Sequence, residues 1–360
     1  MGDTRTSLLA KSILFHKDGD HPFLVAGPCS AESESQLITT AQALRDSGIR
    51  LFRSGVWKPR TRPGSFEGNG VQAFAWLQLV KEETGLPVAI EVANPVHVEH
   101  ALAHDVDVVW IGARTTVNPF MVQEIADALK GTHIPVMVKN PVNPEVDLWI
   151  GGIERILNSG ERKVAAIHRG FSSYSKSQFR NPPFWEIPIE LRRRLPDIPL
   201  LCDHSHICGS RETLRTVAQY ALDLNYDGLM TEVHFNPQNA LSDSQQQVTP
   251  EAYLRMIGSL RFRSEFTDDE KFVETLDLLR HKIDEIDREL VDLLARRMDI
   301  SERIGDVKRR NSIAILQVAR WNEIVRNALV RGTELGLSET FIMKYLAAIH
   351  QESISRQTNI

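Results

Sequence analysis

Residues 23–29 read FLVAGPC, and residues 228–234 read GLMTEVH. Each is a short apolar run that ends on a side chain able to bind a metal or an anion. Neither alternates between apolar and polar residues, as a strand with one wet face does. Continuous apolarity over about five residues marks a parallel strand buried on both faces. The same unit, an apolar run followed by a polar turn and a helical pattern, recurs at 49–56, 87–93, 106–113, 135–139, 163–169 and 198–206. Eight units over ~250 residues predict a (β/α)8 TIM barrel. A doubly wound open sheet is the alternative α/β arrangement, but no Gly-x-Gly-x-x-Gly follows the first run.

Beyond residue 263 the texture changes. Residues 264–270 are polar and acidic and read as a linker. From 271 to 309 there is no proline and a single glycine, Gly305. Leu276, Leu279, Ile283, Ile286, Leu290 and Leu293 are spaced three, four, three, four, three. That spacing is an a/d seam on one long helix. Helical patterns at 318–333 and 338–356 follow, with Gly332 and Gly336 punctuating the turn between them. The expected organisation is a barrel over 1–263, a linker over 264–270 and a small all-α, three-helix domain over 271–360. The core of one helical copy is thin, which predicts a homodimer or a higher assembly through this domain.

The chain has 360 residues and a formal net charge of −5, so it lacks the basic excess that nucleic acid demands. No run approaches the ~20 apolar residues of a membrane span. Residues 1–20 hold no apolar signal region. Three cysteines do not make a disulfide framework. A cytoplasmic enzyme with small-molecule substrates is the expectation.

In such a barrel the chemistry sits at the C-terminal ends of the strands. Here the runs finish in Cys29, in Arg53 with Lys58 and Arg60 beyond it, in Glu91, Arg114 and Lys139, in His168 and Arg169, in Asp203, His204 and His206, and in Glu232 and His234. Arg53, Lys58, Arg60, Arg114, Lys139 and Arg169 form a cation cluster that repels itself unless a multiply charged anion fills it. Guanidinium binds phosphate and carboxylate bidentately, so phosphorylated substrates are the natural guests. Solvated surface charge is the bland alternative for any one of them and a poor one for the set. Cys29, His206, Glu232 and Asp243 offer a thiolate, an imidazole and two carboxylates, a donor set suited to a divalent transition metal with an open position. Cys202 and Cys208 lack such company and read as small buried hydrophobes.

These residues lie in ordered motifs: Ala26-Gly27-Pro28-Cys29-Ser30, Lys58-Pro59-Arg60-Thr61, Ile111-Gly112-Ala113-Arg114, Asp203-x-Ser205-His206, Glu232-Val233-His234 and Ala240-Leu241-Ser242-Asp243. Over nearly all of 20–262 they resemble the 3-deoxy-D-arabino-heptulosonate-7-phosphate (DAHP) synthases of type Iβ. The segment 58–61 is the most specific, because octulosonate-phosphate synthases share the barrel and the Gly-Pro-Cys start but carry Asn-Arg-Ser there. The resemblance implies a transferase that condenses phosphoenolpyruvate with erythrose 4-phosphate, using one divalent metal of the Mn, Co, Fe or Zn class. It implies that Arg53, Lys58, Arg114, Lys139 and Arg169 hold phosphoenolpyruvate and that Arg60 and Thr61 hold erythrose 4-phosphate. It further implies Cys29, His206, Glu232 and Asp243 as metal ligands. Lys58, Lys139 and His206 are the implied catalytic groups, with Glu91 within reach of the substrate. The chain departs from the family at Asn140-Pro141, often Arg-Gly, and at His168, where many members have Glu.

Leu279-Arg280-x-x-Ile283-Asp284-x-Ile286-Asp287, the segment ending Ala295-Arg296-Arg297, and Lys308 look like the first helix of AroQ-type chorismate mutases. The spacing continues without a gap to Arg320, Ser353 and Gln357. The resemblance implies an isomerase without a cofactor that converts chorismate to prephenate. Arg280, Arg297 and Arg320 would bind the carboxylates, Ser353 would join the substrate site, and Lys308 and Gln357 would stabilise charge on the breaking ether oxygen. On one straight helix Arg297 and Lys308 return to the same face ~16 Å apart, whereas Arg280 lies ~25 Å from Arg297 and ~100° off that face. If Arg280 serves the same site, it comes from a second copy. Trp321 stands after Arg320 where the family usually has Glu, which keeps open a catalytically inactive module for dimerisation and effector binding. In either case the helical domain is the expected seat of feedback by prephenate or chorismate.

Overall fold

A computed structural model describes residues 15–58, 64–161, 163–264 and 267–358. Arg60 and Thr61 therefore lie outside the described residues. The chain divides into two compact units, Met1–Glu265 and Phe266–Ile360.

In the first unit the strands are β1 (Phe23–Gly27), β2 (Leu51–Arg53), β3 (Val88–Val92), β4 (Val108–Ile111), β5 (Val136–Lys139), β6 (Val164–His168), β7 (Leu200–Asp203) and β8 (Gly228–Glu232). Each falls inside one of the apolar runs. They form a closed barrel in chain order, and β1 pairs in parallel with β8 through Phe23↔Gly228 to Gly27↔Glu232. Helices alternate with the strands, and Ser33, Asn94, Asn118 and Thr249 cap four of them through their side chains.

Both faces of the sheet are buried because successive side chains enter different cores. Phe23, Val25, Leu51, Ala89, Val108, Trp110, Met137, Ala165, Ile167, Leu201 and Met230 fill the barrel interior together with Phe15. Their alternates, such as Leu24, Phe52, Ile90, Val109 and Ala166, pack against the helices. That division accounts for runs that read as continuously apolar.

Closure puts neighbouring backbones close together near the mouth. Gly27 has φ +149°, and a Cβ there would lie 2.2 Å from the Arg53 carbonyl oxygen. Only glycine lets β1 and β2 approach this closely.

The second unit contains the helices Glu270–Arg310, Val318–Glu334 and Glu339–Thr358. These match the expected patterns to within two residues at each end. Asp269 caps the first by accepting from the Phe272 N–H at 3.2 Å. Gly336, at φ +80°, does form the turn between the later helices. Gly332 corrects the sequence reading: it lies inside the helix Val318–Glu334, where a Cβ would meet Ile342 Cδ1 at 2.3 Å. Its role is close helix approach, not chain reversal. The seam residues Leu279, Ile283, Ile286, Leu290 and Leu293 are 46–57% exposed in the single chain. No helix among the described residues is long and apolar enough to cross a membrane.

Gly27→Ala should destabilise the barrel by about 1–3 kcal/mol, the usual cost of overpacking. In a thermal scan the barrel transition should fall by several degrees while that of the helical unit stays in place. An unchanged barrel transition would mean that β1 and β2 separate at no cost.

Candidate functional site

The interior layer of the barrel ends upward at Trp110. The Arg53 guanidinium lies 5.0 Å from its ring centroid and the Lys139 ammonium 5.7 Å, both over its face. Its indole N–H donates to Glu91 Oε2 at 3.2 Å. Glu91 finds room because residue 112 is glycine: a Cβ there would sit 2.0 Å from Glu91 Oε1. The apolar barrel thus gives way to its polar mouth across one side chain.

Above this floor the strand-end charges are paired. Arg53 Nη1 meets Glu232 Oε1 at 3.1 Å, with both side chains buried. Its Nη2 donates to the Cys29 carbonyl at 3.1 Å. Lys139 Nζ meets Asp203 Oδ2 at 2.7 Å. The same Asp203 oxygen lies 2.8 Å from His206 Nδ1, and Asp203 Oδ1 accepts the His206 backbone N–H at 3.2 Å. Asp203 therefore caps the one-turn helix His204–Cys208 and fixes the His206 ring, whose Nε2 lies 3.7 Å from Glu232 Oε1.

Ligand atoms of Cys29, Glu232 and Asp243 lie within 4.8 Å of one another, the one such grouping found among the described residues. His206 adjoins it through Glu232. The Cys29 thiol is 3.4 Å from Asp243 Oδ2, and Lys58 Nζ is 3.1 Å from Cys29 Sγ.

Burial, and after it the Glu232 carboxylate, pushes the Cys29 thiol up to about 12. Burial presses Lys58 down, yet Cys29, Glu91 and Glu232 outweigh it and hold the ammonium above its ordinary value. Burial also lowers His206 against the opposing pull of Asp203 and Glu232, which favours the neutral imidazole that a metal ligand needs. For Glu232 and Asp243 burial acts upward, but the attraction of His206 and of the nearby cations wins and keeps both below the usual carboxylate range. Burial, reinforced by Arg180 and Arg114 against the opposing pull of Asp203, brings Arg169 down to about 10.

A cavity of 490 Å³ opens over these groups. Lys58, Glu91, Arg114, Lys139, Arg169, His206 and Asp243 line it, as do Arg180 and Asn181. Arg53, Cys29 and Glu232 stand behind that lining. Three strand-end histidines do not belong to the mouth. His168 is turned among Trp149, Phe171, Trp185 and Tyr226, with Nε2 2.7 Å from the Pro183 carbonyl. Burial drives it down to about 3, so it is a neutral structural group. His204 meets Thr231 Oγ1 at 2.9 Å, and His234 lies 3.4 Å from Glu32. Cys202 and Cys208 are buried in the core between barrel and helices, as read. The sequence reading passed over Arg180, Asn181, Gln246 and Gln247. Asn181 accepts from Arg169 Nη1 at 2.8 Å and donates to the His206 carbonyl at 2.6 Å. All four lie in loops without periodicity, and only the Gln245-Gln246-Gln247 run after Asp243 was a possible signal.

In the helical unit Arg297 Nη1 donates to Ser353 Oγ at 2.5 Å. Ser301 Oγ also reaches Ser353, at 3.4 Å. Lys308 Nζ donates to the Ile315 carbonyl at 2.6 Å. Gln357 packs on Gly305, where a Cβ would lie 2.7 Å from its Cα. Arg320 is paired with Glu323 at 2.7 Å. Trp321 stacks on His350, centroids 4.0 Å apart. Arg280 is exposed and 3.4 Å from Asp277 on its own helix, so one chain brings Arg297 and Ser353 together but leaves Arg280 elsewhere.

A closed parallel barrel whose mouth sets buried cations beside a thiol and two carboxylates defines a barrel enzyme for multiply anionic substrates. The chain belongs to the DAHP synthetase I family, whose model matches residues 9–261, and residues 279–358 match chorismate mutase type II. The phospho-2-dehydro-3-deoxyheptonate aldolase of Thermotoga maritima is 29% identical over 238 residues, 66% of this chain and 68% of that protein. A 2-dehydro-3-deoxyphosphooctonate aldolase of Acidithiobacillus ferrooxidans is 30% identical over 247 residues, 62% of this chain and 83% of that protein. The crystal structure of the Thermotoga maritima DAHP synthase matches with a TM-score of 0.60 at 28% identity, covering 66% of this chain and 67% of that one. The chain is a bifunctional shikimate-pathway enzyme, a transferase followed by an isomerase.

Asp203→Asn should cost the barrel about 3 kcal/mol or more, because it leaves the buried Lys139 cation without its counter-charge. Its carboxyl is held well below the ordinary value, since His206 and Lys139 together outweigh the upward push of burial. The stability it contributes is present above pH ~4 and lost as pH falls towards the folded value. Unfolding midpoints at pH 7 and pH 3 would check this: the gap between wild type and variant should be wide at pH 7 and narrower at pH 3.

Proposed function

We propose that residues 1–263 form the synthase and 271–360 the mutase, joined by 264–270, and that the barrel condenses phosphoenolpyruvate with erythrose 4-phosphate. The observation that carries this reading is the set of cations around one 490 Å³ cavity that touches the thiol–carboxylate group. Lys58, Arg114, Lys139 and Arg169, which line the cavity, would grip the phosphate and carboxylate of phosphoenolpyruvate, and Arg53, set behind them against Glu232, would add its charge to the same anion. Arg60 and Thr61 would hold the phosphate of the aldehyde. Clamping two anions side by side supplies proximity that the free reactants lack.

The donor set fits a divalent metal of the Mn, Co, Fe or Zn class: a soft sulfur, two carboxylates, and the His206 imidazole, whose Nδ1 is held by Asp203. Held by Cys29, His206, Glu232 and Asp243, it would supply Lewis acidity to the aldehyde oxygen. C3 of phosphoenolpyruvate then bonds to the aldehyde carbon, water adds at C2, and phosphate leaves to give DAHP. Glu91 would carry protons, with His206 committed to the metal and to Asp203, and Lys58 and Lys139 would offset charge on the reacting oxygens.

The test is a condensation assay with erythrose 4-phosphate and with arabinose 5-phosphate, with and without chelator. Turnover should favour the four-carbon aldehyde and vanish with chelator or in Cys29→Ala, while mutase activity persists in both. Preference for the five-carbon sugar would overturn the substrate assignment. Because burial pushes the metal-free thiol up and holds its proton at neutral pH, metal binding would displace that proton. Apparent affinity should therefore climb about tenfold per pH unit near neutrality; a flat profile would exclude Cys29 as a thiolate ligand.

For the mutase, a Claisen rearrangement needs only a preorganised conformer and electrostatic stabilisation. Arg297, Arg320 and a partner's Arg280 would bind the two carboxylates, with Ser353 in the substrate site and Lys308 and Gln357 at the ether oxygen. The exposed apolar seam of Glu270–Arg310 supports pairing with a second copy. Arg280→Ala and Arg297→Ala should each cripple the mutase. Mixing them after subunit exchange should restore activity, since one of the two shared sites keeps both arginines. No recovery despite proven exchange would place each site within one chain.

Prephenate or chorismate bound to the helical domain would also serve as the feedback signal to the synthase. To do so, the ligand would have to bind the chain better when the synthase is inhibited than when it is active. Prephenate should lower synthase activity in the wild type and fail to do so in Arg297→Ala; equal inhibition of both would move the effector site to the barrel.

A further inference from the structure

The segment following β8 is tied to the candidate metal ligands by side chains that neither the motifs nor the proposed chemistry uses. Gln246 Nε2 donates to Glu232 Oε2 at 2.6 Å. Its Oε1 accepts from Arg180 Nη1 at 3.0 Å, and the same Nη1 donates to Asp243 Oδ1 at 3.0 Å. Chemistry fixes the amide's orientation: turned over, it would set oxygen against carboxylate and N–H against guanidinium. One amide and one guanidinium nitrogen thus join two carboxylates from different parts of the chain.

Each carboxylate keeps its other oxygen turned inward. Asp243 Oδ2 accepts from the Cys29 thiol at 3.4 Å, and Glu232 Oε1, which also accepts from Arg53 Nη1 at 3.1 Å, faces His206 Nε2 at 3.7 Å. The loop is itself anchored. Gln247 Oε1 accepts the Cys29 backbone N–H at 3.0 Å, and Arg211 donates to the carbonyls of Ser244 and Gln247, both at 2.6 Å. Gln246 is 1% exposed, so its bond to Glu232 forms out of water, where geometry is held most firmly, while Arg180 joins it from the half-exposed rim.

We infer that Arg180 and Gln246 are a clasp: positioning residues that select which oxygen of Glu232 and which of Asp243 is presented to a bound divalent ion. The inference rests on the metal assignment proposed above. It makes a claim opposite to simple electrostatics. Deleting a cation beside a cation site should tighten metal binding by Coulomb's law. Deleting a clasp should weaken it, because outer-shell partners of metal ligands are typically worth 10–100-fold in affinity.

The experiment titrates the full-length, chelator-stripped chain with cobalt(II). It reads the thiolate-to-cobalt charge-transfer absorption and, by competition with a chromogenic chelator, the affinity. Arg180→Ala and Gln246→Ala should each weaken cobalt binding about tenfold or more and alter the band. Arg180→Lys should recover part of the loss. The double variant should lose less than the product of the single losses, since the shared bond is lost only once. Lys176→Ala removes an exposed cation from the same loop and should not weaken binding. Unchanged or tighter binding in Arg180→Ala and Gln246→Ala, with native unfolding midpoints, overturns the clasp. Should one of these variants misfold, the other and Arg180→Lys decide by the same criterion. Absence of the charge-transfer band from the wild type overturns the metal assignment itself, a distinct outcome.

Discussion

A charge withdrawn from water at the top of a parallel barrel is tolerable only when an opposite charge or an aromatic face meets it. Arg53 is met by Glu232 and by the face of Trp110; Lys139 is met by Asp203 and by the same ring. Asp203 in turn fixes His206, and Glu232 is held from its other side by Gln246. The mouth is therefore one network and not a ring of independent groups. A change at one strand end leaves an uncompensated charge at the next, so these positions are constrained jointly whatever reaction runs above them.

The barrel was legible because the interior and the helix-facing core claim alternate residues of every strand, which leaves no polar position to break the run. The site was legible at one level and not at the next. That charged groups end the strands is visible in the sequence, but which of them face the mouth depends on strand parity. Leu51, Ala89, Met137, Leu201 and Met230 point into the barrel, and the residues two further on are Arg53, Glu91, Lys139, Asp203 and Glu232. Ala165 and Ile167 also point inward, so Arg169 faces the mouth and His168 the helices. Parity alone separates them, and counting strand-end charges without it credits His168 to the wrong side. Arg180, Asn181 and Gln246 lie beyond parity, in loops whose paths no local pattern dictates.

In the helical unit the a/d spacing located the long helix, yet Gly332 was assigned to a turn. Glycine marks both chain reversal and close packing, and only the neighbour, here Ile342, tells them apart. Gly305 belongs to the packing kind: it brings the first helix against Gln357 of the last. Arg297 and Ser353 are drawn into contact on the same pair of helices. Small residues on one helix thus decide which polar residues of another can meet.

The seam from Leu279 to Leu293 has a thermodynamic consequence of its own. Apolar side chains about half exposed along several turns gain free energy when a second copy covers them, and that gain scales with how often copies meet. With the proposed pairing, the helical unit's resistance to unfolding would be no fixed property of the sequence but a function of protein concentration, rising by mass action as the enzyme accumulates and falling on dilution. Expression level would act as a stabilising ligand for this half of the chain.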